Sequence, residues 1–285
     1  DGNPDLDRLR GLALIAKGDF QAALRSLMTA AAAAPNNAGI QFDLAQAQLA
    51  NEYYDAARGT ATVFCELMPD DVRCPILLGD VELAHGNGDA ALRHFEVAAV
   101  SVLNRTIVIR LARAHSVAGT GQADRPLVNW LREHPDDNDV RIMLARILES
   151  EGKLPEAISE YEALLAAGEL DAVGMNNLAW QYSLQGDGRA VEVAEQAHAL
   201  APSNASITDT LGWILAKDGE LDRALPLLRE AARLLPDNAD VQYHLAHVLA
   251  ELGQRAEAKS VLDELLSSDA VFASRIDAER LLESL

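Results

Sequence analysis

The chain has 285 residues and a formal net charge of −20, from 44 acidic and 24 basic side chains. Apolar residues make up 49% but aromatics only 5%, and with abundant alanine this suits close-packed helices rather than a sheet sandwich. Nucleic acid binding would need a stripe of clustered Lys and Arg, and none appears; no uninterrupted apolar run approaches the roughly 18 residues that span a bilayer.

Three rulers run along the sequence. Pro-polar-polar turns at Pro35, Pro69, Pro135, Pro202 and Pro236 recur at intervals of 34, 66, 67 and 34 residues. Gly18, Gly86, Gly152, Gly186, Gly219 and Gly253 keep the same beat, as do the small residues Ala23, Ala57, Ala91, Ala157, Ala190, Ala224 and Ala258. A repeat of this length is one helix-turn-helix that cannot bury its own apolar stripe, so its neighbours must stack on it.

In chain order the repeats fall at 4–37, 38–71, 72–104, 105–138, 139–171, 172–204, 205–238 and 239–272. The first has a lone Gly11 where later repeats carry an apolar-small pair, and no evident cap on its outer side. Between the second and third, Cys65 and Cys74 flank the turn at Pro69-Asp70. Antiparallel helices would bring them within disulfide range, implying an oxidising compartment such as the periplasm; two small buried thiols are the equal alternative. The fourth repeat breaks the pattern: its turn reads Gly119-Thr120-Gly121-Gln122, Pro126 takes the expected alanine position, and Arg113-Ala114 stands where the apolar-small pair belongs. The fifth lacks its closing proline. A division near 105 or 138 follows, and we place it between 1–138 and 139–285. In the seventh repeat Ile207, Leu211, Ile214 and Leu215 recur at helical spacing, Asp218-Gly219 reverses the chain, and Leu221, Ala224, Leu225 and Leu228 line a second helix that Pro236 stops. The segment 274–285 reads as a capping helix, with Ile276, Leu281, Leu282 and Leu285 covering the last repeat.

The pairs Leu44-Ala45, Leu78-Gly79, Leu144-Ala145, Leu178-Ala179, Leu211-Gly212 and Leu245-Ala246, with the turn glycines, second-helix alanines and closing prolines, resemble the tetratricopeptide repeat (TPR). That resemblance implies an all-α fold, a right-handed superhelical α-solenoid of about eight repeats, and a binding surface rather than a catalyst. First-helix positions that face the concave side in such arrays are here Phe42, Gln46, Ile76 and Asp80 early on, then Arg146, Asn176, Trp180, Asp209, Trp213, Tyr243 and His247. Aromatic rings beside polar groups suit a groove for a protein or peptide segment; for either Trp, a place in the core between repeats is about as expected. The carboxylate clamp of chaperone-binding TPR domains is not matched, since Leu12 stands where Asn is required.

The succession Asn176-Asn177-Leu178-Ala179-Trp180, Asp209-Thr210-Leu211-Gly212-Trp213 and Tyr243-His244-Leu245-Ala246 is similar to the C-terminal region of TPR lipoproteins of bacterial exosortase/PEP-CTERM systems. It implies a scaffold of the Gram-negative envelope linked to exopolysaccharide production, periplasmic or outer-membrane-associated; the anchoring cysteine at the start of that family is missing, and a cytoplasmic adaptor is the alternative. No signal peptide opens the sequence, and a mature chain would have lost one. A self-assembling structural protein, joined through repeat ends, is the rival reading. There is no phosphate loop, nucleophile elbow or cysteine cluster, so no catalytic residue, cofactor or metal is expected; His244, His247 and Glu251 could share a helical face, but the fuller zinc signature is absent.

Overall fold

The computed structural model describes residues 3–267 and 272–285; the end of the eighth repeat, 268–271, lies outside the described residues. All regular structure among them is helical, and in chain order it forms eight successive helix-turn-helix units and one terminal helix. The pairs are α1 (Pro4–Ala16) with α2 (Phe20–Ala33), α3 (Ala38–Ala50) with α4 (Tyr54–Leu67), α5 (Arg73–Ala84) with α6 (Gly88–Ser101), and α7 (Arg105–Val117) with α8 (Asp124–Glu133). Then come α9 (Asn138–Ser150) with α10 (Leu154–Ala167), α11 (Ala172–Gln185) with α12 (Ala190–Leu200), α13 (Ala205–Lys217) with α14 (Leu221–Leu234), and α15 (Ala239–Glu251) with α16 (Arg255–Ser267). Helix α17 (Arg275–Ser284) closes the chain. Two compact halves are present, Asp1–Ile147 and Leu148–Leu285. Their division falls within α9, whereas the sequence reading placed it between 138 and 139.

Six of the first helices start on a short polar side chain that caps them. Asn3, Asn37, Asn104, Asp171, Asn204 and Asn238 accept hydrogen bonds from the free backbone N–H groups of the turn that follows, which satisfies donors the helix itself leaves orphaned. Eight residues after each such cap sits a small, buried residue: Gly11, Ala45, Ala112, Ala179, Gly212 and Ala246. There the second helix of the pair comes closest. A Cβ built on Gly11 would lie 2.6 Å from Leu27 Cγ, and one on Gly212 2.8 Å from Leu228 Cγ.

The turns within pairs need left-handed backbone, and Gly18, Gly86, Gly152, Gly186, Gly219 and Gly253 supply it with φ between 68° and 86°. The second pair lacks a glycine at that place, and Glu52 takes the conformation instead, at φ 62°. Glu52 in place of glycine accounts for the doubled interval between Gly18 and Gly86.

The fourth pair is irregular, as its broken punctuation implies, but two register assignments change. The apolar-small pair is Leu111-Ala112, eight residues beyond the Asn104 cap, not Arg113-Ala114; Ala112 is fully buried and Arg113 exposed. The connection 118–123 is longer than in other pairs, with Gly119 and Gly121 both at positive φ. Alanine sits fourteen residues before the next first-helix cap in other pairs (Ala23 before Asn37, Ala224 before Asn238), and here that place belongs to buried Ala123, just ahead of the late-starting α8, with Pro126 three residues beyond it. Pro126 is tolerated there because first-turn N–H groups have no intrahelical partner anyway.

Helix α17 packs on the final pair through Ala278, Leu281, Leu282 and Leu285. This is an i, i+3, i+4, i+7 stripe. Ile276, expected on that stripe, is 62% exposed, because two residues before Ala278 is about 200° round the helix.

The turn between α4 and α5 is closed by a disulfide between Cys65 and Cys74, with Cα atoms 5.2 Å apart. Arg73 lies over the rings of Phe42 and Phe64 beside it, at 5.1 and 5.5 Å, so a cation and two aromatic faces pack the same corner.

Candidate functional site

Two first-helix surfaces present themselves, one in each half. In the second half, α11, α13 and α15 bring most of the predicted groove residues into one cluster. Trp213 on α13 stacks on His244 of α15 at 4.1 Å between centroids, and meets Tyr243 and His247 edge-on at 6.0 and 5.2 Å. Trp180 of α11 packs against the same group. The ammonium of Lys217, one turn after Trp213 on the same helix, lies 5.1 Å from its ring centroid.

The rings mostly fill space between repeats. Trp213 and Tyr243 are each only 8% exposed, and they belong to the core cluster that Ala246, Leu262, Leu265 and Ala278 complete. Burial, followed by the charge of Asp277, raises the pKa of the Tyr243 hydroxyl above its ordinary value, so it holds its proton more tightly. Asp209, expected on the groove surface, is also buried; both its carboxylate oxygens lie 3.0 Å from Nδ1 of His244, which is buried with it. The accessible part of the set in this half is therefore half-buried Asn176, Trp180 and His247. Burial holds the His247 imidazole below the usual histidine range, so it stays neutral to lower pH. Among the described residues no three His, Cys, Asp or Glu side chains are grouped to hold a metal ion.

Polar wedges reinforce the stacking behind this surface. Glu149 accepts hydrogen bonds from Tyr161 Oη at 3.1 Å and Asn177 Nδ2 at 3.0 Å, and Tyr182 donates to Glu162 at 2.7 Å. Burial and that bond keep the Tyr182 hydroxyl protonated far into the alkaline range.

In the first half, the remaining predicted residue, Arg146, is exposed and borders an open cleft of about 460 Å³ between α7 and α9. Its floor is apolar, from Ile142, Met143 and Ile147, with Val117 48% exposed at the edge. Arg113 and Asp139 complete the rim. Both of these also line an adjoining cleft with Asp80, Arg105 and Arg110 between α5 and α7. Arg110 grips Asp80 through two nitrogens at 2.6 and 2.9 Å, and Arg105 bonds Asp139 at 2.9 Å. This face concentrates arginine in a chain that is strongly acidic overall. The sequence reading singled out Arg146 and Asp80 but missed the arginines between them; Arg113 looked like a defect in the repeat until the cap-to-small spacing set its register.

The paired helices, the cap-to-small spacing and the stacked first-helix faces together define an α-solenoid. Two profiles of the tetratricopeptide repeat match the chain, one at residues 8–71 and 127–172 and another at 215–278. The chain belongs to the tetratricopeptide-repeat proteins, whose repeats form protein-interaction scaffolds. It is 26% identical over 189 residues to a TPR repeat-containing protein of Pseudomonas aeruginosa, an alignment covering 64% of this chain and 32% of the relative; the match thus spans about a third of that protein's length. Among solved structures, the C-terminal part of a TPR repeat-containing protein from Cytophaga hutchinsonii aligns with a TM-score of 0.63 at 14% identity, over 83% of this chain and 98% of that one. The Cut9-Hcn1 hetero-tetramer of the APC/C aligns with a TM-score of 0.58 at 17% identity, over 95% and 55%. MamA from Desulfovibrio magneticus aligns with 0.51 at 15%, over 57% and 93%. At these identities the likeness is one of fold. No helix among the described residues is long and apolar enough to cross a membrane.

Proposed function

We propose that this chain is a non-catalytic scaffold that holds a segment of a protein partner against its first-helix faces, in the bacterial envelope and in the service of exopolysaccharide synthesis or secretion. The observation that carries the scaffold role is the open cleft over α7 and α9, where an apolar floor lies in reach of solvent between charged rims. Isolated exposed apolar side chains are ordinary, but a concave apolar floor with polar edges is what a docked segment covers. The Cys65–Cys74 bond supports an oxidising compartment. The exopolysaccharide link rests on the similarity of the run from Asn176 to Ala246 to the envelope lipoproteins.

The test is site-specific photo-crosslinking in the native cell. A crosslinking side chain at Val117 or Met143 is expected to capture one discrete partner, and one at exposed Glu96 on α6 to capture none. Equal capture from all three positions would remove the first-helix faces as the site. Thiol labelling of the same cells reports the compartment, since reduced Cys65 and Cys74 would contradict the envelope. The rival, self-assembly, draws on Leu6 and Leu9, both exposed on α1; light scattering that grows with concentration and reverts in a Leu6→Glu, Leu9→Glu variant would favour it.

A further inference from the structure

We propose that the segment captured over α7 and α9 is acidic and carries an apolar anchor, and that Arg113 is the residue that selects it. This rests on the scaffold reading above and names the chemistry of its partner. Arg105, Arg110 and Arg113 line the two adjoining clefts with Asp80 and Asp139, and Asp137 lies 3.5 Å from Arg105. Asp80 is already engaged by Arg110 and Asp139 by Arg105. Arg113 stands between the clefts, exposed, with no acidic partner among the described residues. An exposed guanidinium with no acidic partner therefore stands beside an apolar floor, on a molecule of net charge −20. Long-range repulsion from the rest of the chain disfavours an acidic ligand anywhere else on it, so local complementarity decides where one can dock.

The guanidinium of Arg113 offers a planar fork of donors that matches a carboxylate in two-point fashion, more strongly than a neutral hydrogen bond. Beneath it, Ile142, Met143 and Ile147 form a floor already half withdrawn from water. An unbranched methionine adapts its shape to whichever apolar side chain enters. A carboxylate at the rim and a Leu, Ile, Met or Phe on the floor would be satisfied together by a short stretch of chain. A neutral segment would leave Arg113 uncompensated as it loses water, and a basic one would be repelled.

Peptide display on the purified chain tests this, run in parallel on wild type, Arg113→Glu and Arg113→Lys, with polygalacturonate as a separate arm. Circular dichroism melts establish that each variant folds. Enriched peptides are expected to pair Asp or Glu with an apolar residue a few positions away. Arg113→Glu should weaken them on the order of tenfold or more, Arg113→Lys less, and raised salt should weaken wild-type binding. Neutral or basic peptides, or binding equal on Arg113→Glu, would overturn the acidic selection and leave the capture of a protein segment standing. If no peptide enriches, or only polygalacturonate is held through Arg113, the protein-segment reading falls as well.

Discussion

Gly79 and Gly59 both lie inside helices, and alanine should act on them with opposite sign. At Gly79, in α5, a Cβ would sit 2.4, 2.7 and 2.9 Å from three ring atoms of Phe95. Phe95 is fully buried among Ala91, Leu92 and Ala114, so the ring has nowhere to retreat. Overpacking of this kind costs about 1–3 kcal/mol, and three contacts under 3.0 Å on a fully enclosed ring belong at the upper end. Replacing glycine by alanine in a helix interior returns about 1 kcal/mol, so Gly79→Ala should lose about 1–2 kcal/mol net. At Gly59, in α4, nothing lies within 4 Å of the added carbon, and only the propensity gain of about 1 kcal/mol remains. Urea denaturation followed by far-ultraviolet circular dichroism, on the oxidised protein, should place the two midpoints on opposite sides of wild type. If both variants shift the same way, Gly79 is not held by the close approach of α6, and the reading of small first-helix residues as points of close helix approach is wrong.

Reducing the Cys65–Cys74 bond, which closes a loop with a sequence separation of 9, should cost about 2.5 kcal/mol by chain entropy; reductant should lower the denaturation midpoint of wild type and leave a Cys65→Ser, Cys74→Ser variant unmoved. Glu82 is held below the usual glutamate range, first by its hydrogen bond to Arg58 at 2.6 Å, with Asn87 adding another at 2.8 Å. Because the folded form binds its proton less readily than the unfolded chain, this stabilisation is present above the ordinary value and is lost as pH falls through the depressed one; the stability gap between wild type and Glu82→Gln should be widest near neutrality and close in acid. Trp213→Ala should destabilise by about 3–5 kcal/mol, read as a lowered thermal midpoint, since it empties a buried contact with His244, Tyr243 and His247. A double Trp180 and Trp213 replacement therefore reports on folding as well as capture, and Trp180→Ala alone is the cleaner probe of the groove. Glu52→Gly should raise stability by about 0.5–1 kcal/mol by relieving left-handed strain, and a midpoint no higher than wild type would contradict that.

Asn204, Gly219 and Pro236 act within a turn or two of themselves, by capping, reversing and stopping the chain, so eight helix pairs and their limits were legible from residue order alone. The fourth pair shows where local reading fails. Arg113 and Pro126 were read against a fixed repeat, but the second helix of this pair starts late, and only the packed positions of Ala112 and Ala123 reveal the register. The same holds for Ile276 and Ala278 on α17, where helical phase relative to the last pair decides which side is covered.

Burial of the aromatic residues was beyond sequence reading for a different reason. Trp213 and Tyr243 occupy first-helix positions that face inward, and whether such a ring projects or packs depends on the neighbours' volumes across the stack: His244 beneath Trp213, and Ala278 with the rest of α17 beside Tyr243. Likewise the neutralisation of Asp80 and Asp139, which leaves Arg113 without an acidic partner, joins residues about one repeat apart. Sequence by itself determined the repeating helix pairs, because caps, turns and small crossing residues are local chemistry. Tertiary structure alone decided which inward-facing side chains remain available to a partner, because exposure and charge balance are sums over neighbouring repeats.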